Sequence, residues 1–458
     1  MVRWHHPTCI SPDVAVQAGR PRCRTCSRES PLLPELIAGS KSDGPLSASQ
    51  TEPPGQLNLW WPHSVSYSQE TLQHSATTGS SGISRAQKAL VFPDTEPRHQ
   101  EGPQNLHVYG PTLRANEFRL ACISAAGDKD HPVHISLEPF SHDNRPEYEV
   151  VSYTWGGEDG DSSLSQAVYI GSYWDVLLQT QNCWEMLRFV RPWRGSRMVW
   201  VDAVCINQTD LVERGAQVAK MRQIYADCTR VIVFLGPDLV TSSTTFPAYW
   251  PLSRLDETNI SRPVFPPSHV LSSQTFGFKD LLQRQYFSRV WVIQELIMAP
   301  KAVIRVGDID FQADKDSVRQ IFASDTGPAL REWNQTAAPW VRFLGQKQLL
   351  PSPEDGASMY RRSGDDGPYA DDVSELMRLT ANSKSTDPRD RLFAVISLSS
   401  DPEVRRLFPP DYSISHQNFY IGTFSHLLLN LHFWWLLGSA PASVTSTLPS
   451  WIPNMSVD

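Results

Sequence analysis

Apolar and polar positions change character in short blocks along the chain, and the sharpest change falls at Trp200 to Gln208 (WVDAVCINQ). An apolar, β-prone lead-in from Met198 to Val201 runs directly into Asp202 and then into the polar pair Asn207 and Gln208. The following residues predict a helix start, with Asp210 as N-cap and Glu213 three positions later. Val218, Met221, Ile224, Tyr225 and Cys228 recur at helical spacing, and Val231 to Leu235 form a second apolar strand closed by Gly236 and Pro237. A strand, helix and strand of these lengths predict a right-handed crossover in a parallel sheet, whose polar strand ends face any ligand. Asp202, Asn207 and Gln208 fall on that edge. Asp and Asn also satisfy loop backbone groups through local turns, and this segment alone fits both uses.

Upstream, Arg119 to Ile123 and Ile135 to Leu137 predict a hairpin, and Tyr148 to Gly157 (YEVVSYTWGG) predicts a strand ending in Tyr153, Trp155 and the pair Gly156 and Gly157. Such glycines let a ligand approach the backbone, although their commoner use is to turn the chain. A helix is expected over Asn182 to Val190. Downstream, residues 237–285 and 323–370 are rich in loop-forming residues and predict insertions. Between them, Phe287 to Met298 predicts a helix with Ser288 as N-cap and with Trp291 and Glu295 on one face. A helix carboxylate such as Glu295 is, on periodicity alone, more commonly solvated than functional. Val373, Leu376, Met377 and Thr380 mark an amphipathic helix, and Asp387 before Pro388 marks the start of another reaching Leu398. Arg389 and Asp390 fit a structural ion pair or an anchor for an anionic ligand. The apolar run Leu427 to Leu437 is too short to span a membrane and contains Asn430 and His432, which predicts a buried helix.

Residues from about Ser27 to Gln104 lack sustained periodicity and are rich in Ser, Pro, Gly, Gln and Thr, which predicts a disordered linker. A net charge of −8 with no long basic run argues against a nucleic-acid partner. No apolar leader follows Met1, so a cytoplasmic, intracellular protein is expected. Four of the seven cysteines, Cys122, Cys183, Cys205 and Cys228, are scattered through the expected core, as befits reduced, packed thiols. The other three accompany a histidine as His6, Cys9, Cys23 and Cys26. Two close pairs with a thirteen-residue loop between them have the spacing of a structural zinc site, in which His5 could replace His6. A Cys pair that binds nothing is the alternative.

Taken together, these segments resemble the fungal heterokaryon incompatibility domain. The likeness is carried by Tyr148 to Gly156, Trp200 to Gln208 with Glu213, Arg214 and Met221 to Tyr225, Arg289 to Glu295 (RVWVIQE), Asp387 to Asp390, Asp411 with Tyr412, and Pro449 to Trp451. It implies three parts: a zinc-knuckle-like segment at 1–30, a linker at 31–105 and the domain itself at 106–458. It also implies a role in fungal nonself recognition, in which incompatible fusions are killed, with other incompatibility proteins or further copies as partners. A more distant resemblance, to Toll/interleukin-receptor domains, implies a flavodoxin-like parallel α/β core with helices on both faces and a helical carboxyl-terminal part. Some of those domains cleave the nicotinamide–ribose bond of NAD. By that likeness Glu295 is the catalytic carboxylate, Trp155 or Trp291 stacks on a ring, Gly156 and Gly157 admit the substrate, Arg214 or Arg289 holds phosphate, and Tyr153, Asp202, Asn207 and Gln208 line the cleft. The competing expectations are a non-catalytic death-signalling module that self-assembles and a zinc-bearing adaptor.

Overall fold

The computed structural model describes residues 2–39, 109–110, 112–126, 130–192, 194–239, 244–246, 252–255, 274–313, 383–399, 402–429, 448–449 and 451–452, with single positions 373, 376, 377, 380 and 434. The amino-terminal hairpin β1 (Val14–Gln17) and β2 (Arg20–Cys23) precedes helix α1 (Leu33–Gly39). Strands β3 (Glu117–Ser124), β4 (His134–Ser141), β5 (Glu149–Tyr153), β6 (Leu164–Ile170) and β7 (Asp175–Thr180) follow, and then α2 (Gln181–Val190). Next come β8 (Ser196–Trp200), α3 (Asp202–Cys205), α4 (Leu211–Asp227) and β9 (Val231–Phe234). Two-residue strands β10 (Thr244–Thr245) and β11 (Gln274–Thr275) lead to α5 (Phe278–Leu282), a 3-10 turn at Gln285–Ser288 and α6 (Val292–Met298). The described chain continues through β12 (Ala302–Val306), β13 (Ile309–Gln312), α7 (Asp390–Leu398), α8 (Pro402–Leu407) and α9 (His416–Leu429).

Nine strands form one sheet in the order β13-β12-β9-β5-β8-β3-β4-β6-β7. Its core is parallel: β5 lies between β8 and β9, and β9 continues into β12. The runs VIVF of β9 and AVIRV of β12 are buried throughout, as strands covered on both faces must be. Arg305 is the one charged residue of β12; it is buried, ion-paired with Asp310 at 2.8 Å, and donates to the Phe189 carbonyl at 2.8 Å. Numbered by their own succession, the four parallel strands run second, first, third, fourth, so the strand order reverses between β5 and β9. Doubly wound sheets bind ligands outside the carboxyl ends of the strands at such a reversal.

Several expectations hold. β3 and β4 form the antiparallel hairpin, and α4 starts where expected, with the Asp210 carboxylate accepting the Val212 and Glu213 amides at 3.0 Å. Positions 373, 376, 377 and 380 are helical and buried. The sheet as a whole is mixed rather than parallel, because β3 pairs antiparallel with both β8 and β4. The hairpin β6–β7 was not foreseen. Its first strand, LSQAVYI, is only partly buried over Ser165–Ala167 and gives weak alternation, and its turn relies on Gly171 and Trp174 at φ 69° and 49°. Helix α6 begins at Val292, not after Ser288, whose hydroxyl instead donates to the Gln285 carbonyl at 2.8 Å and closes the 3-10 turn. Helix α1 falls within the stretch read as linker, and residues 40–108 and the insertion at 323–370 lie outside or almost outside the described residues. No helix among the described residues is long and apolar enough to cross a membrane.

Helix α4 packs against α6 and α7, and α7 packs against α6, which joins the carboxyl-terminal helices to the sheet. The approach is closest at Gly215 of α4, where a Cβ would sit 2.4 Å from the Pro410 carbonyl oxygen. Gly215→Ala gains up to about 1 kcal/mol of helix propensity. Overpacking against a backbone atom costs about 1–3 kcal/mol. The net expectation is destabilisation, read as a lower midpoint in urea unfolding.

Candidate functional site

The parallel strand β5 carries one polar residue inside its apolar run, Ser152, and its hydroxyl donates to Oε2 of Glu295 at 2.5 Å. The Tyr286 hydroxyl donates to the same oxygen at 2.9 Å. Glu295 reaches this position because α6 is surrounded: Val292, Ile293, Leu296 and Ile297 are all buried, and Glu295 itself is only 3% exposed. Its other oxygen faces the Arg289 guanidinium at 3.5 Å. Arg289 also donates to the Tyr153 carbonyl at the end of β5, at 2.8 Å. Burial opposes the Arg289 charge, but Glu295, Tyr286 and Asp202 carry its pKa above the ordinary value, so it remains a cation.

Asp202 stands at the carboxyl end of β8. Its Oδ2 accepts the Trp155 indole N–H at 2.9 Å, and its Oδ1 accepts the Ala203 amide at 2.7 Å. Burial raises the Asp202 pKa, Arg289, Trp155 and Ala203 oppose the rise, and the charge of Glu295 adds to it. Arg289 is therefore ion-paired with Glu295 of α6 and also favours the charge of Asp202, which follows β8. Trp155, Asp202 and Arg289 are half-buried and form the open side of this site.

The glycines after Trp155 serve the turn. A Cβ on Gly156 would lie 2.6 Å from the backbone of Gly160, and Gly157 has φ +62° with Asn182 at 3.4 Å from its own would-be Cβ. Asn182 in turn donates to the Thr154 carbonyl at 2.5 Å, tying α2 to the end of β5.

Tyr153, Trp155, Asp202, Arg289 and Glu295 thus come together, Tyr153 through its carbonyl while its ring is buried. The other expected site residues are engaged elsewhere. The Asn207 side chain accepts from Thr209 in a local turn, at 2.8 Å from its hydroxyl, and Gln208 donates to the Asp202 carbonyl at 3.0 Å. Trp291 stands at the N-cap of α6 with helical backbone angles, and its carbonyl accepts the Glu295 amide at 3.1 Å, one turn before Glu295. Arg214 stacks 3.6 Å over the Tyr412 ring and faces Asp387 at 3.6 Å. The expected pairing of Arg389 with Asp390 is not the one formed: Asp387 holds Arg389 through both oxygens, at 2.9 and 2.8 Å, and Asp390 accepts from the Tyr412 hydroxyl at 2.6 Å. Ser152 and Tyr286 were missed. A lone serine inside a buried parallel strand was a signal for the first, and nothing local marked the second.

Residues 148–295 match the heterokaryon incompatibility protein family, HET. The chain carries a heterokaryon incompatibility domain. The matched stretch runs from β5 to Glu295 and so encloses every residue of the site just described. The chain is also similar to heterokaryon incompatibility protein 6, OR allele, of Neurospora crassa, with 24% identity over 371 residues, 68% of this chain and 53% of that protein. It therefore spans about half the length of this relative. No solved structure matches the chain.

Outside the HET match lies a second cluster. His5, Cys9, Cys23 and Cys26 place one ligand atom each within 4.8 Å of one another, a set that could hold a metal ion. The histidine is His5 and not His6. The His6 ring is exposed and bonds to the Thr8 hydroxyl at 2.7 Å, whereas His5 is buried and stacked on Trp4 with centroids 4.0 Å apart. The His5 Nε2 lies 2.7 Å from the Tyr173 carbonyl, which makes it the protonated nitrogen and leaves Nδ1, 3.7 Å from the Cys26 sulfur, as the donor.

The loop behind Asp202 depends on a buried ion pair, in which Glu213 accepts from Arg119 at 2.5 and 3.1 Å and from the Asn207 amide at 2.8 Å. Arg119→Met strands the Glu213 carboxylate and is expected to cost about 3–5 kcal/mol in chemical unfolding. A pH dependence follows from Asp390, whose carboxyl is pushed from 3.8 up to about 6, first by burial and then by Asp387, against the Tyr412 hydroxyl that donates to it. Because the folded-state value is the raised one, Asp390 lowers stability as pH climbs from about 4 to about 6. Asp390→Asn removes that slope, so its unfolding free energy relative to the unmutated chain rises between those pH values.

Proposed function

We propose that this HET-domain chain is an effector of fungal nonself recognition, and that the Glu295 site hydrolyses the nicotinamide–ribose bond of NAD in the killing of incompatible fusions. The family match and the incompatibility protein of Neurospora crassa support the first part. The observation that carries the second is the Glu295 carboxylate, oriented by the Ser152 and Tyr286 hydroxyls and paired with Arg289, next to the half-buried Trp155 and Asp202. The strand reversal between β5 and β9 favours a ligand at this end of a flavodoxin-like core.

In the proposed reaction the bond from ribose C1′ to the ring nitrogen breaks, and its electron pair leaves with nicotinamide. Water forms the new bond to C1′ and releases a proton to solvent, giving ADP-ribose. The Glu295 carboxylate stabilises the oxocarbenium character that develops between these events. Trp155 offers a ring face while its N–H stays on Asp202, and Arg289 positions Glu295. Neither Arg289 nor Arg214 is assigned to phosphate, since both guanidiniums are committed to carboxylates. The amino-terminal cluster, with three thiolates and one imidazole, suits a structural zinc ion.

A non-catalytic, self-assembling signalling domain is the second reading, and it is favoured by the burial of Glu295 among satisfied partners. Incubating the purified chain with NAD separates the two. Hydrolysis predicts nicotinamide release that falls by about 100-fold or more in Glu295→Gln with circular dichroism unchanged. No release from the concentrated, unmutated chain overturns the catalytic reading.

A further inference from the structure

Strand β7 is the last strand of the sheet, and the segment carrying the metal cluster covers it. Val2 pairs with Val176 through both backbone bonds, at 2.9 and 2.8 Å. Arg3 grips the buried Asp175 carboxylate with bonds of 2.9 and 2.7 Å and lies 4.0 Å over the Tyr173 ring. The Trp4 indole donates to the Trp174 carbonyl at 2.7 Å. Further along, the Ser30 and Tyr169 hydroxyls meet at 3.0 Å. Trp4, Cys9, Cys23 and Leu36 bury Tyr169, Val176 and Leu178 in a small apolar cluster separate from the main core.

Two features make the metal and this docking one equilibrium. The ligand His5 is oriented by the Tyr173 carbonyl of the very hairpin that is covered. The covering segment, in turn, has two four-residue strands and one short helix, too little to order itself in water without a cross-link. Loss of the ion therefore releases the segment, and the release uncovers an apolar hairpin face together with the unpaired N–H and C=O of Val176. A bare edge strand templates pairing with another chain. An edge that accepts an antiparallel neighbour, as Val176 does, is complementary to its own two-fold copy.

We propose that the β6–β7 hairpin is an interaction surface for a second copy of this chain, covered by the metal-bound segment 2–36 and opened when the ion leaves. This rests on the zinc reading of the cluster. The test uses the full chain, zinc-loaded or chelated under reducing conditions, and the double variant Arg3→Ala/Trp4→Ala, which keeps all four ligands. Chelation should at least about double the mass seen by light scattering. In dilute samples it should speed amide exchange in β7 on the order of tenfold, while β5 and β9 stay slow as the control for folding. Added zinc should reverse both. The double variant should bind one zinc by native mass spectrometry and still form the larger species. Uptake of no zinc by the unmutated chain overturns the metal reading. An unchanged mass and an unchanged β7 exchange in the double variant overturn the docking surface, whatever its zinc content.

Discussion

A carboxylate inside a protein must find donors for its oxygens and a cation for its charge, and the HET domain is arranged around that requirement at Glu295. The donors come from different elements: Ser152 from a central strand, Tyr286 from a 3-10 turn and Arg289 from the link between that turn and α6. Each of these residues is fixed by its own element, so the carboxylate is held by the fold as a whole. The short hydrogen bond from Ser152 joins helix α6 to the middle of the sheet, and the Arg289 bond to the Tyr153 carbonyl joins the preceding turn to the end of the same strand.

Arg289 extends this group to the neighbouring strand. Its charge offsets that of both Glu295, on α6, and Asp202, after β8, and the Trp155 indole donates to the second of them. The concentration of polar groups at the carboxyl ends of β5 and β8 follows from a parallel sheet, whose strand interiors must be apolar and whose ends alone are free to carry chemistry. The matched family stretch begins with the first of these strands and ends at Glu295 itself.

Two further polar clusters secure the periphery by different physics. Asp387, Arg389, Arg214 and Tyr412 lock the carboxyl-terminal helices onto α4 through a buried bidentate pair and a stacked guanidinium. The amino-terminal segment has a small apolar core of its own, beside which four potential ligand atoms lie within 4.8 Å of one another.

Periodicity in the sequence determined the apolar strands β5, β8 and β9, the start of α4 at Asp210 and the antiparallel pair β3–β4, because each is set by neighbours a few positions apart. The spacing of Cys9, Cys23 and Cys26 likewise pointed to the cluster they form with a histidine. Local pattern did not separate His5 from His6, since only the Tyr173 carbonyl, far along the chain, selects the ring that turns inward. Whether Glu295 is a solvated helix residue or a buried carboxylate was not written in its own segment. Ser152 lies 143 positions away in the chain, and only tertiary packing decides that its hydroxyl and the Glu295 carboxylate meet.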